Sequence, residues 1–379
     1  MMNVQSPFPS GRACDDDSYP VIRRFTPNWF AVTMGTGVLG LALHQAPFRT
    51  AATEVVSTAL WGVAGLLWLL FAGLYAARWV LYPHEARRIF DHPVMATFLG
   101  AIPMGLATVI GGLLAFGVPS WGQGAVGAAV ALWWCDAALS VAVGIGIPLA
   151  MIVRQDHTLP AMTGVWLLPI VAAEVAAATA GALLPHLSDP AAAWRMLILS
   201  YALWAFSVPL ACSVLAILVL RLMLHKLPPR EMAASGWLAL GPLGTGALGL
   251  LALGQDAPAI CDANGMAALG PVAAGAGIVG GTILWGYGAW WLMFGVATAL
   301  RYLRQGLPFN LGCWGFTFPL GVYALATLTL ARQTHLALLA VIGGVLVAGL
   351  AVIWAIVAAH TLRGAWRRTL FAAPCLGLP

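Results

Sequence analysis

One short pattern recurs five times along this chain, each time inside a long apolar stretch. Its copies are Thr33-Met34-Gly35, Pro103-Met104-Gly105, Pro169-Ile170-Val171, Pro242-Leu243-Gly244 and Pro319-Leu320-Gly321. Subtraction of their first residue numbers gives intervals of 70, 66, 73 and 77 residues, and such a period indicates a repeated structural unit. Four copies carry a proline, which in a helix interior removes a hydrogen bond and bends the helix. Five bent helices of this kind suggest a pore.

The composition is that of an integral membrane protein. Of the 379 residues, 61% are hydrophobic and only 8% are charged, whereas a soluble domain is about 25% charged. A spanning helix needs about 20 apolar residues, which predicts ten spans, at 26–45, 52–80, 93–117, 122–153, 160–184, 192–225, 232–254, 269–303, 310–332 and 335–363. We therefore expect one transmembrane domain over 25–365, a polar N-terminal segment 1–24 without the apolar core of a signal peptide, and a tail 366–379.

Basic residues predict the orientation in the membrane. All 18 basic residues are arginine except Lys226. If the N-terminus is cytoplasmic, the outer side holds only Arg49, Arg195 and Arg332, against 15 basic residues on the inner side. This bias follows the positive-inside rule and places both termini in the cytoplasm. We expect a multi-pass protein of the plasma (inner) membrane that binds no nucleic acid.

The repeated pattern lies about ten residues into each odd-numbered segment, which corresponds to about 15 Å, half of the hydrocarbon core. The predicted fold is thus all-α, with five helical hairpins in a quasi-fivefold ring. The bent odd helices line a central pore, and the even helices surround them. The residues predicted to line the pore are Thr33, Gly35, Thr36, Gly37, Pro103, Gly105, Pro169, Pro242, Gly244, Thr245, Thr317, Pro319 and Gly321.

Several longer stretches resemble the tellurite-resistance/dicarboxylate transporter family. They are 25–37 (FTPNWFAVTMGTG), 98–108 (FLGAIPMGLAT) and 166–170 (WLLPI). The stretches 224–231 (LHKLPPRE), 314–323 (WGFTFPLGVY) and 373–376 (APCL) are more similar to its fungal sulfite efflux pump branch than to the malate permease branch. The resemblance implies a ten-helix fold shared with plant guard-cell anion channels, a central pore that a phenylalanine blocks, and small anions as substrates. It also favours a homotrimer.

We therefore predict a transporter or channel, not an enzyme, that exports sulfite. Transport of malate and related C4-dicarboxylates, with or without proton coupling, is the alternative, followed by chloride or nitrate conduction and tellurite resistance. A membrane enzyme would need a converging nucleophile, base or metal set, and the sequence shows none. A sensor would need a soluble output domain.

Two phenylalanines are candidates for the gate that the resemblance implies. Phe316 and Phe318 flank Thr317 just before Pro319. Residues two apart on a helix point about 200° away from each other, so only one can face the axis. Phe318 takes the gate position of the family pattern, and Phe316 is the alternative. Ordinary packing in the core or against lipid would also account for either ring.

Fixed positive charge is absent from the central thirds of the presumed pore helices, whose polar side chains are mainly Thr33, Thr36, Thr163, Thr245 and Thr317. Hydroxyls and backbone dipoles would then bind an anion weakly and pass it quickly. Arginines near the inner face could concentrate anions at the inner mouth, although they also serve simply to set topology. These arginines are Arg23, Arg24, Arg87, Arg88 and Arg230.

Two carboxyl groups, those of Asp136 and Glu174, fall within predicted spans. A charge there costs roughly 2.5–3.5 kcal/mol or more, so each group needs a partner, water or a proton. For Asp136, on an even helix, we expect a structural hydrogen bond between helices. For Glu174 we expect a packed, protonated side chain, with proton coupling as the alternative.

No cofactor is expected. Gly35–Gly40 and Gly244–Gly249 fit a dinucleotide fingerprint, but each lies in an apolar helix without the preceding strand and the later acidic residue that a nucleotide site requires. Glycines at this spacing more often let membrane helices approach closely. The histidines and six cysteines lack metal or disulfide spacing. Lys226 lies in a loop, which argues against a retinal Schiff base.

Overall fold

The computed structural model describes residues 21–371 and consists of helices and their connections, with no strand in this range. Ten principal α-helices follow one another along the chain. They are α1 (Phe30–Gln45), α2 (Ala51–Leu81), α3 (Ala101–Gly112), α4 (Gln123–Val153), α5 (Leu168–Leu183), α6 (Pro190–His225), α7 (Leu240–Ala263), α8 (Leu269–Arg304), α9 (Phe318–Thr334) and α10 (Ala337–Trp366). Cys14, Cys375 and the 373–376 stretch lie outside the described residues, as does most of segment 1–24.

A short 3-10 helix leads into each odd-numbered helix. These five lead-in segments are Pro27–Trp29, Ala96–Gly100, Gly164–Leu167, Arg230–Ala239 and Leu311–Phe316. The remaining short elements are α-helical turns at Val21–Arg24, Pro83–Arg87 and Val118–Trp121, a π-helical turn at Leu113–Gly117, and 3-10 turns at Arg88–Asp91, Leu159–Ala161 and Leu184–His186. Each odd segment of the chain is therefore a 3-10 portion followed by an α portion.

The sequence suggested that the prolines of the repeated pattern lie in helix interiors. The structure instead places them in the first turns of their α-helices. Pro169 and Pro319 are the second residues of α5 and α9, and Pro103 and Pro242 are the third residues of α3 and α7. In the first turn of an α-helix the amide hydrogen has no intrahelical acceptor, so proline fits there without loss of a bond. The break in each of these four segments is thus the change from 3-10 to α geometry, with the proline at the start of the α portion.

Nine helical stretches within residues 21–371 are long and apolar enough to cross a membrane. The predicted span that is not among these nine is the first, 26–45, which corresponds to α1. Its 16 residues extend about 24 Å, less than the hydrocarbon core. The seventh span reaches Ala263 instead of ending at residue 254, because Gln255, Asp256 and Pro258 continue the helix although they interrupt the apolar run. Residues 21–371 are therefore all-helical, with nine evident spans.

Burial separates the odd helices from the even ones. In the most apolar 18 residues of each span, 67–83% are buried for the stretches that contain α3, α5, α7 and α9, against 17–39% for the even helices. Most of α1 is buried as well. The even helices expose large apolar side chains such as Leu66, Ile152, Ile283 and Leu338. This distribution is expected when even helices face lipid and odd helices face one another.

Contacts between the odd helices form a closed sequence. α1 packs against α3, α3 against α5, α5 against α7, α7 against α9, and α9 returns to α1. Every even helix packs against the odd helices before and after it, and α10 packs against both α9 and α1. The five odd helices therefore enclose the centre of the protein, and the even helices cover the outside.

Glycines allow close approach at all five contacts between successive odd segments. A Cβ on Gly100 would lie 2.3 Å from the carbonyl oxygen of Leu168, and one on Gly244 would lie 2.8 Å from the amide nitrogen of Tyr323. Each of the remaining three contacts has two glycines whose added Cβ would meet the neighbouring odd segment. They are Gly37 and Gly105 between α1 and α3, Gly164 and Gly181 between the fifth and seventh segments, and Gly35 and Gly321 between α9 and α1. Small residues of this kind let backbones pack directly on one another.

Candidate functional site

Two cavities lie inside the set of odd helices. The cavity at the N-terminal ends of the odd helices, which we call the inner cavity, has about 50 Å³ of free volume and is lined by the lead-in segments and first turns of these helices. The cavity toward their C-terminal ends, which we call the outer cavity, has about 440 Å³ and is lined by their later turns. Each of the five odd segments contributes to both cavities, and none of the described lining residues belongs to an even helix. The cavities therefore lie one above the other along the centre.

Phe318 is the one described residue that borders both cavities. It is the first residue of α9, and 4% of its surface is exposed. Phe316 borders neither cavity; its ring packs edge-to-face on Trp237 at a centroid distance of 5.5 Å. The difference arises because the chain changes from 3-10 to α geometry between the two residues, at Thr317.

Only two of the thirteen residues predicted to line a pore border a cavity. Pro319 borders the inner cavity and Thr245 the outer one. The predicted glycines Gly35, Gly37, Gly105, Gly244 and Gly321 pack against neighbouring odd segments. The other predicted residues, Thr33, Thr36, Pro103, Pro169, Pro242 and Thr317, are also absent from the cavity walls. The glycines of the repeated pattern thus mark the contacts between helices, whereas its larger members Met34, Met104 and Val171 border the inner cavity.

Four of the five threonines named from the sequence already have a hydrogen-bonded hydroxyl within the protein. Thr33 Oγ1 donates to the Phe30 carbonyl and Thr317 Oγ1 donates to the Trp314 carbonyl, both at 2.7 Å. Thr36 Oγ1 accepts from Trp354 Nε1 on α10 at 3.1 Å. Thr163 Oγ1 is buried without a hydrogen-bond partner among the described residues. Of the five threonines named from the sequence, only Thr245 borders either of the two central cavities.

The five predicted inner-mouth arginines do not border the inner cavity. Arg23 Nε donates to Glu85 Oε2 at 2.7 Å, and this bond to the guanidinium lowers the pKa of the Glu85 carboxyl. Arg230 Nη1 donates to the Gln305 carbonyl at 2.7 Å. Arg87 and Arg88 are exposed, and Arg24 is half-buried. The ionisable side chain that does border the inner cavity is that of Glu231.

The outer cavity carries the more polar walls. They include five residues of α9, and Arg332 is the arginine among the described lining residues. Arg332 Nη2 donates to Gln45 Oε1 at 2.7 Å and to Thr329 Oγ1 at 2.9 Å. Asp256, His44 and His186 also border this cavity. From the sequence, Arg332 served only as a marker of topology. Its place in the last turn of an odd helix is the feature that could have predicted its position beside the outer cavity.

Glu174 is completely buried on α5, one residue before Val175 in the outer cavity wall. Thr245 Oγ1 on α7 lies 2.5 Å from Glu174 Oε1, and Ser207 Oγ on α6 lies 3.1 Å from Glu174 Oε2. Each hydroxyl also lies 2.8 Å from a backbone carbonyl, that of Gly241 for Thr245 and that of Ile170 for Ser207. Glu174 therefore connects three helices immediately behind the cavity wall.

Asp136 is completely buried on α4, and neither of its carboxyl oxygens has a hydrogen-bond partner among the described residues. The interhelical hydrogen bond expected from the sequence is therefore absent there. The nearby polar contact between α4 and α5 is made instead by Trp133, whose Nε1 donates to the Ala176 carbonyl at 2.9 Å. Within residues 21–371, no three His, Cys, Asp or Glu side chains come together as a metal site requires.

These features define a multi-pass membrane protein with two central cavities. The family profile described as voltage-dependent anion channel (SLAC1) matches residues 24–362. The chain belongs to this family of membrane anion transporters, as its resemblance to the tellurite-resistance/dicarboxylate transporters predicted.

Comparison with individual proteins shows which members of the family this chain is most similar to among three relatives. The chain is 34% identical to the sulfite efflux pump SSU1 of Trichophyton rubrum, over 97% of this chain and 98% of the relative. It is 25% identical to an uncharacterized transporter of Methanocaldococcus jannaschii, over 82% and 84% of the two chains. The malic acid transport protein of Schizosaccharomyces pombe is 22% identical over 79% of this chain and 68% of its own length. These similarities confirm the predicted family and its sulfite efflux branch.

Proposed function

We propose that this protein exports sulfite through the centre of its odd helices. The observation that carries the proposal is the pair of stacked cavities that a single aromatic side chain, Phe318, separates. The 34% identity to sulfite efflux pumps over nearly the whole chain supports sulfite as the substrate. Phe318 acts as the gate, and the helices α1, α3, α5, α7 and α9 form a quasi-fivefold ring around it.

The proposed topology has ten spans, with the 3-10 segment that precedes α1 completing the first. Both termini lie in the cytoplasm and the domain extends over residues 25–365. The arginine bias supports this orientation, because the cytoplasmic side then carries 15 of the 18 basic residues, in line with the positive-inside rule. The exposed Arg87 and Arg88 raise the local anion concentration at the inner face through their long-range field. The plasma (inner) membrane is the proposed location.

The charges along the cavities favour a small anion over a C4-dicarboxylate. Arg332 supplies fixed positive charge in the outer cavity, whereas Glu231 is the ionisable side chain at the inner one. Sulfite can enter as the monovalent hydrogensulfite ion, whereas a dicarboxylate would bring two charges into an inner cavity of about 50 Å³, where each desolvated charge without a partner is costly. Malate transport remains the second candidate because of the relative from Schizosaccharomyces pombe.

We expect purified protein in vesicles to pass sulfite at least about tenfold faster than malate, equivalent to about 1.4 kcal/mol of barrier. The measurement is the initial efflux of sulfite, malate and chloride from separate vesicle batches at equal concentration and clamped membrane potential. Protein-free vesicles of the same lipid provide the background. Malate flux equal to or above sulfite flux would replace the sulfite proposal with the dicarboxylate one.

We further propose that Glu174 holds a proton and joins α5, α6 and α7. A protonated carboxyl can donate to Thr245 Oγ1 while the threonine donates to the Gly241 carbonyl, so that both groups are satisfied without a charge. An ionised carboxylate at this depth would cost roughly 2.5–3.5 kcal/mol. Asp136 is proposed to be neutral for the same reason.

Glu174→Gln is therefore expected to leave both folded yield and sulfite flux within about twofold of the original protein, since glutamine keeps the size and hydrogen-bonding capacity of the neutral acid. The decisive measurement is the pH profile of flux across the neutral range, which should be unchanged. Asp256→Asn, which alters an acid in the outer cavity wall, is the comparison variant. A profile that loses its pH dependence only in Glu174→Gln would favour proton coupling instead.

A further inference from the structure

A third cavity lies outside the ring, between the ends of α6 and α8. It has about 690 Å³ of free volume. One part of its wall is apolar and includes Leu222 of α6 with Trp290 and Phe294 of α8, whose rings stack at a centroid distance of 5.5 Å. Its other part carries three basic side chains, those of Lys226, Arg230 and Arg301. We call this cavity the α6–α8 groove.

The basic end of the groove is held in place by hydrogen bonds. The Arg221 Nη1 atom donates to the Lys226 carbonyl at 2.6 Å, and the Tyr302 hydroxyl donates to the Pro228 carbonyl at 2.6 Å. Arg230 Nη1 donates to the Gln305 carbonyl at 2.7 Å, which ties the loop to the end of α8. These bonds hold residues 226–230 of the LHKLPPRE stretch, which border neither central cavity, as a connection between the two helices.

The charge of the groove is unbalanced. None of Lys226, Arg230 and Arg301 forms an ion pair with a carboxylate within residues 21–371. The neighbouring Glu231 borders the inner cavity and not the groove. Three cations therefore lie together at the ends of two membrane helices, without a counter-charge from the part of the chain that the structure describes.

The apolar wall extends from this basic end toward the middle of the bilayer. Trp290 lies eleven residues before Arg301, about 16 Å away along α8, and its side chain is 46% exposed. A molecule that fills the groove must therefore present a negative headgroup at one end and a hydrocarbon chain along the other.

We propose that the α6–α8 groove binds one anionic phospholipid of the cytoplasmic leaflet. Its phosphate lies among Lys226, Arg230 and Arg301, and an acyl chain lies against Trp290 and Phe294. Basic pockets between membrane helices on the cytoplasmic side suit such headgroups. Inorganic phosphate could use the cations but would leave the apolar wall uncovered, so the lipid matches both parts of the groove.

The test uses the full-length protein purified from vesicles that contain phosphatidylcholine and phosphatidylglycerol. We expect about one phosphatidylglycerol to remain bound per chain after delipidation, as measured by native mass spectrometry. The double variant Lys226→Gln/Arg301→Gln should bind it about thirtyfold more weakly, since each basic residue near the surface contributes a factor of about five. An excess of inorganic phosphate should not displace the lipid.

The matched control is Arg363→Gln/Arg367→Gln, which removes two exposed arginines from the end of α10, away from the groove. It should retain the lipid like the original protein. Equal retention in the groove variant, or equal retention of phosphatidylcholine, would overturn the proposal. Loss of an oligomer in the groove variant, seen by size-exclusion chromatography with light scattering, would overturn it in favour of a contact between copies. Trp290→Ala provides a second variant, expected to weaken binding while it keeps all three charges.

Discussion

Phe318→Ala is expected to raise sulfite flux at least about tenfold, equivalent to about 1.4 kcal/mol of barrier. The ring is the one described side chain that borders both cavities, and its removal joins them into a continuous passage. An aromatic ring in a narrow apolar passage excludes water and raises the barrier to a hydrated anion. Because cavities lie on both sides of the ring, its loss removes less packing than a deletion in a filled core. Flux per folded protein in vesicles is the measurement.

Phe316→Ala is the matched control, since it deletes the same side chain two residues away. Its ring packs on Trp237 and borders neither cavity, so its loss should lower folded yield, at a typical cost of about 3–5 kcal/mol. Flux per folded molecule should stay at the original level. If the two variants show the opposite pattern, Phe316 is the gate; if well-folded Phe318→Ala passes no more anion than the original protein, Phe318 is not the barrier.

Gly100→Ala is expected to abolish most of the folded protein. The added Cβ would lie 2.3 Å from the Leu168 carbonyl oxygen, 2.7 Å from its carbonyl carbon and 3.0 Å from Pro169 Cα. All three atoms belong to the backbone at the start of α5, so no side chain can rotate away and α5 must shift relative to α3. Overpacking of this kind costs about 1–3 kcal/mol and more where backbone must move. Size-exclusion chromatography of detergent-extracted protein gives the folded yield.

Gly146→Ala makes the same chemical change on α4 with no neighbour in reach, since a Cβ there meets nothing within 4 Å. Alanine is favoured over glycine within a helix by about 1 kcal/mol, so yield should equal or exceed that of the original protein. Normal yield and flux for Gly100→Ala would show that the contact between the third and fifth segments tolerates extra volume. The glycines would then have to be explained by something other than close approach.

The long apolar helices could be predicted from the sequence, because a run of apolar residues indicates a segment removed from water, whether it is buried in protein or in lipid. The predicted segments 52–80 and 269–303 differ from Ala51–Leu81 and Leu269–Arg304 by at most one residue at either end. The end of α7 was missed because Gln255 and Asp256 face the polar outer cavity, which hydropathy cannot distinguish from a loop.

The local geometry of the repeated pattern was not accessible in the same way. A proline inside an apolar run fits either a kink or the first turn of a new α portion, and only the backbone conformation separates the two. Likewise Gly35 and Gly105 could face an axis or a neighbouring helix, and that depends on the rotation of each helix about its own axis. The side-chain partners of Glu174 come from residues 33 and 71 positions away along the chain, and such distant pairs leave no local pattern.

The unequal size of the two cavities has an electrical consequence. In the orientation that we propose, the outer cavity brings external solution close to Phe318, whereas the inner cavity has about 50 Å³ of free volume. A transmembrane voltage would then fall mainly across the part that water does not fill, which is the inner half. An interior-negative voltage drives a monovalent anion outward and supplies about 2.3 kcal/mol per 100 mV. A voltage of about 100 mV thus favours export until the outside concentration exceeds the inside one by about fiftyfold.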